Sequence, residues 1–315
     1  MPEQPLHPFA LAVLDAIAAA GQPPYHQGSA QQARADVAAR LRAMPPRPHS
    51  GIAAIEEMAL PGPAGPINAR RYTPNAIGGG GAVVYAHGGG WVFGEPALFD
   101  PLCSWLAAAA KRPLISIDYR KAPEARFPAP LDDMVAAVAE VSAAAGRVVV
   151  AGDSAGGNLA AAAALVLAER GGSPIAGQIL LYPVLDHDFE TPSYRELGDA
   201  GRIISTADMR WFWDHYAPGE ARADPRASPL RAARLDHLPP AYVAVGGWDP
   251  LRDEGVRYAE RLAQAGVAVT LDERGDMMHG FASSAGLLDV ADAVLARAGD
   301  LAARWLGEKS VESPE

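Results

Sequence analysis

The sequence has one cysteine, Cys103, in 315 residues. No intrachain disulfide can form, so nothing implies an oxidising compartment. Positive charge is also scarce: 27 Lys and Arg stand against 37 Asp and Glu, a net charge of −10. With no basic run and no basic amphipathic helix, the chain lacks the clustered cations that phosphates attract, and no nucleic-acid partner is expected. No apolar run reaches membrane-spanning length, because charges and glycines break every alanine-rich stretch. The opening Met1-Pro2-Glu3-Gln4-Pro5 has no charged-then-apolar leader pattern. The expected location is the cytoplasm, with no membrane partner.

What is present is a globular composition, 49% apolar and 20% charged. The length suits one large α/β domain with an elaboration. Residues of about 8–20 and 29–43 read as helices, the second opened by the capping-box form Ser29-Ala30-Gln31-Gln32. After the proline-rich 45–48, residues 53–58 and 66–73 alternate as a hairpin of edge strands around Pro61-Gly62-Pro63. Further strands are expected at 82–86, 113–118, 147–151, 177–182, 241–246 and 267–272. Helices are expected near 97–111, 130–145, 155–170 and 250–265, with a closing helix at 283–306. Short apolar β-rich runs separated by helices indicate a mainly parallel sheet of about eight strands, covered on both faces. The interval from Tyr182 to Ala241 breaks this rhythm, with a polar loop and one aromatic helix around 209–216. The expected organisation is N-terminal cap helices at 1–50, an α/β domain at 51–308 with a lid insertion at 186–225, and a frayed tail at 309–315.

Chemistry concentrates at the C-terminal ends of the strands. The β-branched run before Gly152-Asp153-Ser154-Ala155-Gly156, and the alanine-rich helix after it, put Ser154 on a sharp strand-to-helix turn. A serine there needs a base, and the base needs an orienting carboxylate. Asp249 and His279 follow in chain order, each just past an apolar strand. Asp249 also fits an N-cap on the helix that Pro250 begins. Asp253 and Glu254 fall one turn further on and are expected to point away. A tetrahedral intermediate needs two or three aligned N–H donors, and the loop His87-Gly88-Gly89-Gly90-Trp91 follows a strand with no Cβ to obstruct them. Asp153 is expected to support the site without being a second nucleophile. Trp91, Phe93, Tyr182, Trp211, Phe212 and Trp213 are candidates for a substrate pocket, or for packing the cap onto the core. Asp186-His187-Asp188 reads as a solvated loop, so no metal is expected.

On these motifs the chain resembles the hormone-sensitive-lipase-like branch of the α/β-hydrolases, the bacterial family IV carboxylesterases. Asp118-Tyr119-Arg120, Ala122-Pro123-Glu124, Phe127-Pro128-Ala129, Asp132-Asp133, Asp249-Pro250-Leu251-Arg252-Asp253-Glu254 and His279-Gly280-Phe281 also fit. The sequence departs from the family at Lys121 and Asp276. The resemblance implies an α/β-hydrolase fold with a helical cap, and a cofactor-free serine esterase cleaving small esters of short to medium acyl chain. It implies catalytic Ser154, Asp249 and His279, with oxyanion donors Gly89, Gly90 and Ala155 and Gly88 in the same loop. It further implies pairing of two copies through 267–272 and 283–306. An amidase, peptidase or lactone hydrolase using the same three side chains stays open, as does a small-molecule receptor.

Overall fold

A computed structural model describes residues 2, 4–21, 23–43, 47–199 and 203–307. The expected tail at 309–315 lies outside the described residues. The chain opens with two helices, α1 (Pro8–Ala19) and α2 (Ala30–Ala43), and a 3₁₀ turn between them at Tyr25–Gln27. Ser29 caps α2, its Oγ accepting from Gln32 N at 3.1 Å, while the Gln32 amide turns instead to Asp36. The strands are β1 (Ile52–Leu60), β2 (Ile67–Pro74), β3 (Ala82–Ala86), β4 (Leu114–Ile117), β5 (Val148–Asp153), β6 (Ile175–Leu181), β7 (Ala241–Trp248) and β8 (Val269–Met278). Between and after them run α3 (Asp100–Ala110), α4 (Ala129–Ala145), α5 (Ala155–Glu169), α6 (Pro192–Leu197), α7 (Thr206–Tyr216), α8 (Arg252–Gln264) and α9 (Asp289–Trp305).

Among the described residues the strands form one sheet in the order β1-β2-β4-β3-β5-β6-β7-β8. The pairings are parallel from β4 onward and antiparallel at β1–β2 and β2–β4. The apolar runs of the central strands split by the period of two. Val84, Val148, Val150, Leu180 and Val243 pack against α4, α5 and α8, whereas Val83, Val149, Ile179, Leu181 and Tyr242 pack against α3 and α9. Both faces are therefore buried, which is why those strands show no polar alternation.

Strand order reverses at β3, which lies between β4 and β5. That reversal opens a crevice at the carboxyl ends of β3 and β5. Ala86 pairs with Gly152, so the loop after β3 and the turn after β5 leave the sheet side by side.

Four expectations shift. β2 is an inner strand, bonded on its other side to β4; only β1 lies at that edge. β8 continues to Met278, so the strand itself delivers His279. The closing helix begins at Asp289, because Phe281–Ser284 is a separate 3₁₀ turn. The insertion holds a second helix, α6, whose start Thr191-Pro192 is a cap and first-position pair: Thr191 Oγ1 accepts from Tyr194 N. β8 is the terminal strand on the far side, the position that pairing of copies would use. No helix among the described residues is long and apolar enough to cross a membrane.

Candidate active site

Ser154 sits between β5 and α5 with φ 53° and ψ −120°. A non-glycine residue in such a conformation costs on the order of 1–3 kcal/mol and persists only where its surroundings impose it. Here they do. Ser154 N–H donates to Leu181 O at 2.9 Å, and its carbonyl accepts from Asn158 N and Val184 N. Gly156 lets the first turn of α5 approach the end of β3 so closely that a Cβ would overlap Ala86 O.

His279 stands just past β8 and joins the other two groups. Its Nε2 lies 3.0 Å from Ser154 Oγ and its Nδ1 lies 2.8 Å from Asp249 Oδ2. A carboxylate only accepts, so Nδ1 carries the proton and Nε2 is free to accept from the serine hydroxyl. Asp249 is fully buried, and Ser154 and His279 are each 7% exposed. The edge of the Tyr182 ring meets the imidazole, with centroids 4.9 Å apart.

Asp249 makes the contacts of a helix cap and of an imidazole partner with one side chain. Oδ2 takes the imidazole, while Oδ1 accepts from Leu251 N at 2.9 Å at the entry to α8. The cap bond thereby fixes the rotamer that presents Oδ2. Asp253 and Glu254 do turn from the imidazole, but they are not idle. Glu254 Oε2 accepts from Leu185 N at 3.1 Å and Asp186 N at 2.6 Å, and Asp253 Oδ2 accepts from Ser193 N at 2.8 Å. The first turn of α8 thus orients the carboxylate that meets His279 and tethers the base of the insertion. Burial pushes the Glu254 carboxyl well above its ordinary value, partly offset by those two N–H donors.

The N–H groups of Gly89, Gly90 and Ala155 have no acceptor among the described residues and stand around the same crevice. Gly88 separates from them. Its N–H is donated to Asp153 Oδ1 at 2.7 Å, so it is not free to hold an oxyanion. Gly90 has φ 58°, and a Cβ there would overlap the Phe212 ring. Behind the loop, His87 stacks between Phe99 and Tyr119 and bonds Gly88 O through Nδ1 at 2.7 Å. Burial, and the nearby Lys121 charge, lower its pKa to about 3, so the imidazole is neutral.

The expected pocket residues divide. Trp91 and Trp213 are fully buried, and Trp91 stacks flat on Tyr216 at 4.1 Å. They bolt the cap to the loop and present no surface to a substrate. Tyr182 is likewise buried, against His279 and Phe281. Phe212 is buried as well, packed over Gly90, whereas Phe93 and Trp211 beside it are half-buried. Tyr25 completes this aromatic wall, 5.0 Å from Phe93 and 5.6 Å from Phe212 between ring centroids. His26 ties the same segment to α7, its backbone N–H and its Nδ1 both reaching Asp208 Oδ1. Neither Tyr25 nor His26 has a local sequence signal; the proline pair before them marks only a turn. Asp186 accepts from His187 N at 2.8 Å and from Arg231 Nε at 2.5 Å.

A family model described as the alpha/beta hydrolase fold matches residues 83–283. Esterase LipI of Mycobacterium tuberculosis (strain ATCC 25618 / H37Rv) is 40% identical over 298 residues, 91% of this chain and 91% of its own length. An ethyl acetate hydrolase of Pseudomonas putida is 36% identical over 222 residues, covering 68% of this chain and 70% of its own. Among solved structures, a thermostable esterase from Pseudomonas putida ECU1011 superposes with a TM-score of 0.89 at 33% identity, covering 98% of this chain and 99% of that one.

Proposed function

This chain belongs to the alpha/beta hydrolase family, in its hormone-sensitive-lipase-like branch, and from that premise we propose that Ser154, His279 and Asp249 cleave carboxylic esters through an acyl-enzyme. The protein is a carboxylic ester hydrolase, like the esterases it resembles. The observation that carries the mechanism is His279 bridging Ser154 Oγ at 3.0 Å and Asp249 at 2.8 Å.

Ser154 Oγ attacks the ester carbonyl carbon as His279 Nε2 takes its proton. The carbonyl π pair moves to oxygen, where the N–H groups of Gly89, Gly90 and Ala155 meet the new charge. Asp249 stabilises the imidazolium without accepting its proton. The intermediate collapses, and the alkoxide leaves with the proton from His279. Water then attacks the acyl-enzyme along the same route, releasing the acid and restoring Ser154. We extend this reading to short to medium acyl chains, with Phe212 packed directly over Gly90 of the oxyanion loop. The ethyl acetate hydrolase among the relatives points the same way.

The test is hydrolysis of a p-nitrophenyl ester series from acetate to palmitate, wild type beside Ser154→Ala. The wild type should favour acetate to hexanoate, and the variant should lose about 10⁴-fold or more in kcat, as removal of a triad serine does elsewhere. A folded Ser154→Ala protein with near-normal turnover would sink the mechanism. A rate rising towards palmitate would sink the chain-length reading alone.

A further inference from the structure

The role of Asp153 emerges from where its side chain goes. It is the last residue of β5 and immediately precedes Ser154, yet its carboxylate reaches across to the neighbouring strand and the loop beyond it. Oδ1 accepts from Tyr85 OH at 2.5 Å and from Gly88 N at 2.7 Å. The residue is 4% exposed. Gly88 is therefore held at both polar groups, its N–H by Asp153 and its carbonyl by His87 Nδ1. Tyr119 OH in turn holds the His87 carbonyl at 2.8 Å. A trans peptide is planar, so fixing the direction of Gly88 C=O also fixes Gly89 N–H, which points the opposite way.

We propose that Asp153 is a positioning residue for the oxyanion loop, one that locks the nucleophile turn and the N–H donors of Gly89 and Gly90 at a constant separation. The inference rests on the serine-hydrolase reading of Ser154. Asp153 touches no reacting atom; it acts through Gly88. Its placement is costly, since burial pushes the carboxyl up to about 6 against the pull of the Tyr85 and Gly88 hydrogen bonds. A residue kept only to fill space would not need a carboxylate there. The acceptor geometry is what the loop uses, and an amide carbonyl of the same shape can supply it. Asparagine therefore restores function, whereas alanine leaves Gly88 N–H without its acceptor and frees the loop to turn.

The experiment compares wild type, Asp153→Ala, Asp153→Asn and Tyr85→Phe on p-nitrophenyl butyrate. It also measures inhibition by phenylboronic acid, whose serine adduct places an oxygen among the oxyanion donors. Asp153→Ala should lower kcat roughly tenfold to a hundredfold, with KM within about threefold, and weaken the boronate by the same factor as kcat, because only the tetrahedral species uses those donors. Asp153→Asn should recover kcat to within about fivefold of wild type, and Tyr85→Phe should cost less than Asp153→Ala, since the Gly88 bond survives it. Unchanged kcat in Asp153→Ala overturns the proposal, as does a loss confined to KM with boronate binding intact. Asparagine as damaging as alanine also overturns it, by showing that charge and not acceptor geometry matters. If Asp153→Ala does not fold, the Asn and Phe variants decide by the same criteria. A wild type that neither hydrolyses the ester nor binds the boronate would instead sink the serine-hydrolase reading itself.

Discussion

The strand-end side of the site, from Gly88 through Ser154 to His279, is held mainly by main-chain geometry, whereas the cap side, from Tyr25 to Phe212, is held by side chains that meet across distant sequence. On the first side a positive-φ serine, a positive-φ glycine and a fully buried Asp249 are each held in one position. On the second, an aromatic wall and the His26–Asp208 pair join segments 182 residues apart, and His26 remains 31% exposed. Bond making tolerates displacements well below 1 Å, so its groups belong on elements that cannot drift. The cap side rests on softer contacts, ring against ring between side chains of separate segments. The two sides should therefore fail differently when disturbed.

The largest expected effect in this comparison is at Gly90. Alanine there adds a Cβ at φ 58° into the Phe212 ring, so the loop must turn or α7 must lift. Misplacing one oxyanion donor costs about 10²–10³ in kcat in measured cases, and Gly90→Ala should fall in that range against p-nitrophenyl butyrate. Adding Phe212→Ala removes the clash but not the backbone strain. If that double variant regains full activity, the loop is held by the cap, and the division between the two sides is wrong.

A smaller effect separates two buried groups of the strand-end side by pH. His87 has its pKa lowered to about 3 in the fold, mainly by burial, so its neutral form is favoured there. Its contribution to stability is present above the unfolded value near 6.5 and is lost as pH falls towards 3. Between pH 7 and pH 5 the loss amounts to about 2 kcal/mol by linkage. Asp153 runs the other way: its pKa is raised to about 6, so its contribution is present at low pH and is lost as pH rises through 6. The wild-type curve mixes the two, and a difference between proteins isolates one. His87→Phe keeps the stack on Phe99 and Tyr119 and removes the titration. Its stability relative to wild type, from urea unfolding, should improve by about 2 kcal/mol on going from pH 7 to pH 5. A difference that does not move with pH would mean that the imidazole is hydrated and titrates normally.

The same division explains what the sequence made readable. Where local backbone demands select residue types, the signal is local: glycines where no Cβ fits, a serine at a strand-to-helix turn, Asp before Pro at a helix start. Ser154, Asp249, His279 and the Gly89-Gly90 loop are legible for that reason, as are the strands of the sheet. Contacts made only by tertiary packing leave no such mark. That Gly88 N–H belongs to Asp153 depends on β3 and β5 being neighbours, which no spacing in either segment reveals. Trp91 and Trp213 could be named as aromatic candidates, but whether they face a ligand or each other is decided by how α7 lands on the loop. Glu254 looked like one more helix-start carboxylate until Leu185 and Asp186 arrived beside it.

The smallest expected effect tests the cap side where it is softest. His26→Ala removes the Nδ1 contact to Asp208 but keeps the backbone N–H bond to the same oxygen. Asp208 also retains its capping box with Ser205, so α7 itself stays intact. With His26 partly exposed and its backbone bond to the buried Asp208 retained, the lost contact contributes about 0.5–1 kcal/mol, and stability should fall by no more than that. Turnover of p-nitrophenyl acetate should stay within about twofold, because nothing at Ser154 or Gly89 moves. The change should appear as selectivity: a looser Tyr25 segment widens the space beside Phe93 and Phe212, so the octanoate-to-acetate ratio of kcat/KM rises. Tyr25→Ala should shift that ratio in the same direction and further, since it deletes part of the wall as well as loosening it. An acyl profile identical to wild type in both variants would place the selective surface elsewhere. A loss of acetate turnover in either would show that the cap aligns the reacting groups, and that the two sides of the site are one rigid unit.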